Sequence, residues 1–381
     1  MTRFCIVGAG FSGAVIGRAL AEAGHNVLVV DEREHVGGNC HTARDAETGV
    51  MTHVYGPHIF HTDDESVWQY VQRFGAMAPY RHRVQAMAGG RIFSLPVNLS
   101  TINQFFNKTM SPQEARAFVA ERTRPISNPS NFEEQALGSI GEDLYHAFFR
   151  GYTLKQWGLE PKLLPLSVFK RLPVRFDHDD SYFSHRHQGI PLAGYSAMVE
   201  KILDVARLEL RLGTRFETLD ETFEHIVYSG PIDRFFDFRL GRLGYRTLDF
   251  ETIRSGGDFQ GAAVLNYCDE DVPYTRVTEH KHLAPWEKDG FDGTICYREF
   301  SRACGRGDIP YYPIRLADEQ GMLRRYIELA RATPGVSFIG RLGTYRYLDM
   351  DVTISEASSA ANALLSAIAR GDRPPAFFVE P

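Results

Sequence analysis

Lys170-Arg171-Leu172-Pro173-Val174-Arg175-Phe176 places three cations within six residues beside a proline. Further along, Pro273-Tyr274-Thr275-Arg276-Val277-Thr278-Glu279-His280-Lys281-His282 is a second cation-rich stretch. In a chain of net charge −6, such local clusters are either solvated surface or a grip for a small polyanion. The planar fork of arginine suits a diphosphate. Between the two clusters in chemistry, though not in order, Phe148-Phe149-Arg150-Gly151-Tyr152-Thr153-Leu154-Lys155-Gln156-Trp157-Gly158 is dense in rings. Core packing is the ordinary fate of an aromatic stripe, while Tyr152 and Trp157, set among polar residues and glycines, equally suit a platform on which a base or sugar stacks. Pro310-Tyr311-Tyr312-Pro313 adds constrained tyrosines, and the run from Arg341 to Asp351 ends at a helix start. Carboxylates there serve as caps, or the helix end faces a cofactor phosphate or ribityl chain. No GxSxG, HExxH, P-loop or Cys/His metal pattern occurs, and the paired carboxylates of a glycosidase leave no spacing signature.

The elements that must position these groups begin with a nucleotide-binding signal. Residues 4–7 read as a short buried strand, Gly8-Ala9-Gly10-Phe11-Ser12-Gly13 as a tight turn, and the following residues to about Ala23 as a helix. Val27–Val30 is a second strand, closed by Asp31. In that context Gly8 permits the turn, Gly10 lets backbone approach a pyrophosphate, and Gly13 allows helix and strand to pack closely. The helix N-terminus favours phosphate, and Asp31 is placed to accept from a ribose hydroxyl. The motif alone does not separate NAD from FAD; Gly37-Gly38-Asn39, soon after the second strand, tilts the choice toward FAD. Tyr55-Gly56-Pro57-His58-Ile59-Phe60-His61-Thr62 reads as a backbone loop near the cofactor rather than a metal site, since no acidic partner sits at helical spacing.

Residues 99–158 read as mostly helical, with Ser111 capping a helix that starts at Pro112. Extended segments are expected from Tyr182, with a turn at 188–191, then a helix over 195–208 and strand-like alternation over 212–230. The stretch His225–Gly230 suits a return to the first sheet. Residues 264–267 and 293–300 read as strands of another sheet, 335–339 as a strand, 340–343 as a turn and 352–369 as a helix. The Pro-rich tail 371–381 is expected to fray. The fold class is α/β: a Rossmann-like domain built from 1–80, 196–240 and 325–370, an inserted helical domain at 85–170, and an antiparallel sheet domain from 171–195 and 241–324.

At 381 residues with 43% hydrophobic content, the chain can bury a large core and is expected to exceed one compact domain. Five scattered cysteines without CxxC spacing indicate reduced thiols and a cytoplasmic setting without structural zinc. No apolar run is long enough to span a membrane, and the glycines within the first apolar stretch argue against a signal peptide.

Taken together, GAGFSG (8–13), YGPHIFHT (55–62), FSLPVNLSTINQFF (93–106), GYTLKQWG (151–158), KRLPVRF (170–176), TRVTEHKH (275–282), DIPYYPIR (308–315) and GRLGTYRYLDMDVTI (340–354) closely resemble the bacterial UDP-galactopyranose mutases, from about residue 3 to residue 368. The resemblance implies a homodimer of three-domain subunits with noncovalent FAD, active when reduced, in cell-surface polysaccharide biosynthesis. It implies interconversion of UDP-galactopyranose and UDP-galactofuranose, with reduced flavin N5 attacking the anomeric carbon as UDP leaves and no net redox change. Arg171, on a closing loop, and Arg276 would hold the diphosphate, with Tyr312 and Tyr347 bonding its oxygens. Phe148, Phe149, Tyr152, Thr153, Trp157, Tyr182 and Asn266 would lie about the nucleotide. Glu299 would sit near flavin and sugar. Gly8, Gly10, Phe11, Ser12, Gly13, Asp31, Gly38, Asn39, Arg341, Asp349 and Met350 would hold the FAD, with the backbone at His58 beside the isoalloxazine. The competing readings are an FAD oxidoreductase of the amine-oxidase type, a non-catalytic nucleotide-sugar binder, and a mutase for a related nucleotide sugar.

Overall fold

Phe4, Cys5 and Ile6 are wholly buried, as the middle of a central parallel strand requires. In the structure, a computed structural model describing residues 3–124, 126–166 and 174–381, they lie in β1 (Arg3–Val7). A five-stranded parallel sheet is ordered β10 (Leu208–Arg211), β2 (Asn26–Val30), β1, β11 (His225–Tyr228), β17 (Val336–Phe338). Helix α1 (Phe11–Glu22) makes the crossover from β1 to β2 and packs on α7 (Gly194–Leu203) and α11 (Met350–Arg370). α11 buries Ala357, Ala360, Ala361 and Leu364, one stripe at helical period. Small residues on that stripe let α11 lie close along α1.

A second sheet has seven strands in the order β16 (Tyr312–Pro313), β12 (Tyr245–Gly256), β15 (Gly293–Ala303), β14 (Arg276–Glu279), β13 (Val264–Tyr267), β7 (Val84–Ala88), β8 (Arg91–Leu95). Its neighbours are antiparallel except β13 and β7, which run parallel. Smaller pairings join β3 (Thr42–Arg44) to β4 (Met51–His53), and β5 (Phe60–Thr62) and β6 (Met77–Pro79) to β9 (His187–Pro191) between them. The helical region comprises α3 (Leu99–Phe106), α4 (Pro112–Ala120), α5 (Phe132–Leu144), a π-helical turn over Tyr145–Arg150, and α6 (Gly151–Trp157). Outside it lie α2 (Glu65–Gln72), α8 (Ile232–Phe235), α9 (Ala317–Ala332) and the short α10 (Gly340–Gly343). Ser111 and Glu114 form the reciprocal cap ahead of α4, as the Ser-Pro-Gln-Glu run indicates.

Several expected boundaries are corrected. Residues 85–95, assigned from the sequence to the helical domain, belong to the hairpin β7–β8 at the edge of the larger sheet. Their inside–outside alternation has period 2, and Gly89 and Gly90 both take positive φ (55° and 70°), which a tight hairpin turn demands. β9, assigned to the sheet domain, pairs instead with β5 and β6. The helix expected over 195–208 stops at Leu203, and of 212–230 only β11 is strand. The expected turn at 340–343 is one turn of helix. The tail does not fray: the Phe338 N–H donates to the Ala376 carbonyl (2.8 Å), Ser337 Oγ donates to the Pro375 carbonyl (2.5 Å), and Phe377 stacks on Phe338 at 5.6 Å. β17 is the sheet's edge strand, and the tail supplies the partner its open backbone groups lack. Among the described residues, no helix is long and apolar enough to cross a membrane.

Candidate functional site

The glycine loop after β1 shows different requirements at each glycine. A Cβ on Gly13 would lie 1.9 Å from the Gly8 carbonyl oxygen, and one on Gly8 (φ 106°) would lie 2.2 Å from Ser229 Oγ. Both positions exclude any side chain. Before Gly10 there is only Gly38 backbone, 3.8 Å from where a Cβ would sit, so the fold itself does not need that glycine. The slot lies at the start of α1, whose N-cap is Gly10 and whose first turn carries no side-chain cap. Free N–H groups and the positive dipole end therefore face the slot. Asp31, expected on a ribose, accepts from the Ala9 N–H (2.8 Å) and the Arg33 N–H (3.0 Å), and so shapes the loop.

Arg33 was not anticipated. Its guanidinium lies over the Tyr55 ring (4.8 Å), donates to Asn39 Oδ1 (3.0 Å), and leaves Nη1 buried without a partner among the described residues. A guanidinium with one unpaired buried nitrogen, together with an uncapped helix end behind the glycine loop, fits the pyrophosphate of a dinucleotide. Gly340 closes the other side. Its Cβ would meet Ser12 Oγ at 2.7 Å, so the chain leaving β17 presses against the first turn of α1 beside the buried Phe11. Arg341 then reaches back, donating to the Leu348 carbonyl (2.6 Å) and the Tyr311 carbonyl (3.3 Å). Asp349 caps α11 by backbone conformation without a side-chain bond, and Met350 is its first residue.

At the far end, antiparallel pairing of β14 with β15 puts Arg276 opposite Glu299. Arg276 donates to Glu299 Oε2 through Nε (2.8 Å) and sets Nη2 2.7 Å from the same oxygen, while Thr275 Oγ1 donates to Oε1 (3.2 Å). Glu299 is 1% exposed, so this is a buried, charge-balanced pair. Around it stand tyrosines. Shielding from solvent pushes the Tyr152 and Tyr312 phenols well up, and Arg276 opposes the shift in both. They therefore act as neutral donors. Tyr312 stacks on Tyr347 (5.6 Å, 11°), Arg341 sits over Tyr347 (4.6 Å), and Trp157 tilts toward Tyr312 (6.5 Å). Tyr182 is also close to Tyr152. Asn266 faces Arg276 across the β13–β14 pair, its Oδ1 buried without a partner among the described residues.

Local sequence explains why α6 delivers Tyr152 and Trp157. A Cβ on Gly151 would lie 2.1 Å from the Cys268 carbonyl oxygen, so only glycine lets the helix touch the sheet there. Arg246 Nε donates to the Gln156 carbonyl (3.0 Å) and Gly158 takes φ 64°, ending the helix. The loop after β4 meets the same centre. A Cβ on Gly56 would lie 3.5 Å from Glu299 Oε2 and 3.7 Å from Arg276 Nη2. Next to it His58 donates from Nδ1 to the Gly56 carbonyl (2.8 Å), and burial, then Arg341, pushes its imidazole down to about 4.

Thus Tyr152, Trp157, Asn266, Arg276, Glu299, Tyr312, Arg341, Tyr347 and His58 converge. Phe148 does not stand open beside them: it packs edge-on against Phe93 (5.1 Å) and Phe105 (5.5 Å). Phe149 and Thr153 are likewise buried. Arg171, with Lys170 and Pro173, lies outside the described residues. The remaining cations of the two clusters turn elsewhere. Arg175 bonds Asp179 (3.0 Å) and the Ser181 carbonyl (2.5 Å), and Lys281 pairs with Asp258 (2.7 Å).

A family model described as UDP-galactopyranose mutase matches residues 147–347, and one for an NAD(P)-binding Rossmann-like domain matches residues 6–74. The chain is 56% identical to a probable UDP-galactopyranose mutase of Klebsiella pneumoniae, over 98% of this chain and 97% of that one. It is 51% identical to a dTDP-fucopyranose mutase of Escherichia coli, over 95% and 98%. A UDP-galactopyranose mutase of Mycoplasma pneumoniae is 31% identical over 95% and 96%. The fold is similar to the crystal structure of a reduced UDP-galactopyranose mutase, with a TM-score of 0.74 at 15% identity and 96% of each chain covered.

Proposed function

The chain belongs to the UDP-galactopyranose mutase family, and on that premise we propose that it interconverts UDP-galactopyranose and UDP-galactofuranose. Membership makes it a flavoprotein that uses FAD, and the slot before Gly10, the uncapped start of α1 and the Arg33 guanidinium fit that cofactor's pyrophosphate. When bound and reduced, FAD supplies the nucleophile for the anomeric carbon, so the protein needs neither a triad nor a metal.

What remains for the side chains is binding, charge and orientation. Glu299 Oε2 accepts from Arg276 Nε and lies 2.7 Å from Nη2, which fixes the plane of the guanidinium. The other donors are then available for a diphosphate, whose charge grows as the anomeric C–O bond breaks. A preoriented cation stabilises that charge without reorganising first. Tyr312 and Tyr347 offer hydroxyls beside it, and Tyr152 and Trp157 offer ring faces for the base. Arg171 would grip the diphosphate from the second side. A cytoplasmic homodimer serving cell-surface polysaccharide assembly completes the proposal, supported by the family likeness.

The observation that carries this reading is the buried Arg276–Glu299 pair ringed by Tyr152 and Tyr312. A second reading, a mutase for a related nucleotide sugar, is favoured by the 51% identity to a dTDP-fucopyranose mutase. The test incubates dithionite-reduced holoprotein separately with UDP-galactofuranose and dTDP-fucofuranose and separates products by chromatography. Faster conversion of the uridine sugar supports the proposal, faster conversion of the thymidine sugar replaces it with the second reading, and no conversion of either overturns both.

A further inference from the structure

The loop carrying His58 is held by an unusual device. The His58 backbone N–H donates to His53 Nδ1 (3.0 Å), and the His53 backbone N–H donates to His280 Nδ1 (3.2 Å). A backbone N–H can only donate, so both Nδ1 atoms must be lone pairs, and each neutral ring carries its proton on Nε2. Both side chains are buried: His53 is 2% exposed and His280 0%. Burial pushes His53 well below its ordinary range and His280 to about 3. Neither is therefore an acid or base at neutral pH; each is a fixed acceptor.

His280 bears a cost for this. Its Nε2, which the tautomer makes a donor, has no partner among the described residues, and an unmet buried donor costs roughly 1–3 kcal/mol. Its ring lies edge-on against Tyr297 at 4.4 Å. Packing alone would be served better by an apolar side chain. A fold that keeps a half-satisfied imidazole here keeps it for the acceptor.

His280 also directly follows β14, the strand that carries Arg276. One segment thus sets the Arg276–Glu299 pair and, through His53, the Tyr55–His58 loop that packs against that pair at Gly56. We propose that His280 and His53 are positioning residues for the flavin: two neutral imidazoles in series, each accepting a backbone N–H, fix the height of the Tyr55–His58 loop over the site. The inference rests on the reading that this loop lies beside the flavin ring.

The geometry distinguishes two amide replacements. The Asn Oδ1 reaches about where His Nδ1 sits, while the Gln Oε1 reaches about where Nε2 sits. His280→Asn, His280→Gln and His280→Leu are made in the full chain, and each is measured for FAD dissociation constant, flavin midpoint potential and thermal midpoint. His280→Asn is expected to match wild type in both flavin readouts. His280→Gln and His280→Leu are expected to weaken FAD binding by about tenfold, the effect of one lost buried acceptor, and to shift the potential. Equal flavin behaviour of the Asn and Gln variants overturns the proposal, even if the Leu variant does not fold. A wild-type protein that binds FAD but whose potential is the same in all three variants also overturns it. Wild type that takes up no FAD would instead sink the cofactor assignment on which it rests.

Discussion

Replacing Arg276 by Gln probes the centre of the site in two independent ways. The substitution leaves Glu299, 1% exposed, with its Oε2 stripped of both guanidinium contacts at 2.8 and 2.7 Å. Among the described residues, only Thr275 Oγ1 at 3.2 Å still serves the carboxylate, on its other oxygen. Removing one partner of a buried ion pair costs roughly 3–5 kcal/mol, because the stranded charge keeps its desolvation penalty. The double variant Arg276→Gln/Glu299→Gln removes both charges and is expected to recover most of that loss. Catalysis should behave differently. If the guanidinium stabilises the departing diphosphate, its loss costs about 3–4 kcal/mol of barrier, or roughly a hundred- to a thousandfold in turnover. The double variant should recover none of it. Stability is read from urea unfolding of the holoprotein, and turnover from chromatography of UDP-galactose isomers with reduced enzyme. Turnover within about tenfold of wild type in Arg276→Gln, with FAD bound, would refute the assigned role. Recovery of turnover in the double variant would refute it as well, since it would make the defect one of folding.

Three further outcomes are expected. Gly10→Ala should fold with a near-normal thermal midpoint and yet lose FAD affinity at least about tenfold, whereas Gly13→Ala, whose Cβ meets the Gly8 carbonyl at 1.9 Å, should fail to accumulate as folded protein; calorimetry and flavin absorbance separate the two. Burial holds His58 near about 4 and His82 and His280 near about 3, so the unfolded chain takes up protons below about pH 6.5 while the fold resists until pH 3–4. Stability is thus fully present above about pH 6.5 and falls as pH drops through that window, and His280→Asn should lessen the slope of unfolding free energy against pH by about one proton, a change that urea melts at several pH values detect. Deleting residues 372–381 uncovers Phe338 and the β17 edge, so the truncated protein should melt several degrees lower and aggregate sooner by light scattering; an unchanged melt would show the docked tail contributes nothing.

The chain ends of the site were legible in the sequence wherever chemistry and local geometry coincide. GAGFSG followed by helix, strand and Asp31 specifies the nucleotide loop because glycine is demanded there by contacts only a few residues away, such as Gly13 against Gly8. Arg276 and Glu299 could be singled out only through the family resemblance, since what unites them is the register of β14 on β15, a long-range pairing that no local pattern announces. The same blindness hid the hairpin 84–95, where a two-glycine turn inside an alternating run carried the signal and went unread. Reading Pro273–His282 as one cation-rich stretch failed for a related reason: alternation along β14 and the turn after it sends Arg276, His280 and Lys281 to three different neighbours. Arg33 had a local sign, lying two residues past the acid that closes β2, but its value depends on Tyr55 and Asn39, which the fold alone brings together. The tail misled because proline content predicts exposed backbone, while Phe377 seeks the ring of Phe338.

The central claim is that reduced FAD and the Arg276 site rearrange a nucleotide sugar without consuming electrons. It is tested most directly by counting. Holoprotein is reduced anaerobically with one charge of dithionite, the excess is removed, and a large molar surplus of UDP-galactofuranose is added. The account predicts that many equivalents of UDP-galactopyranose form per flavin while the flavin absorbance stays that of the reduced state. Product limited to one equivalent per flavin, or reoxidation of the flavin in step with product, would contradict it.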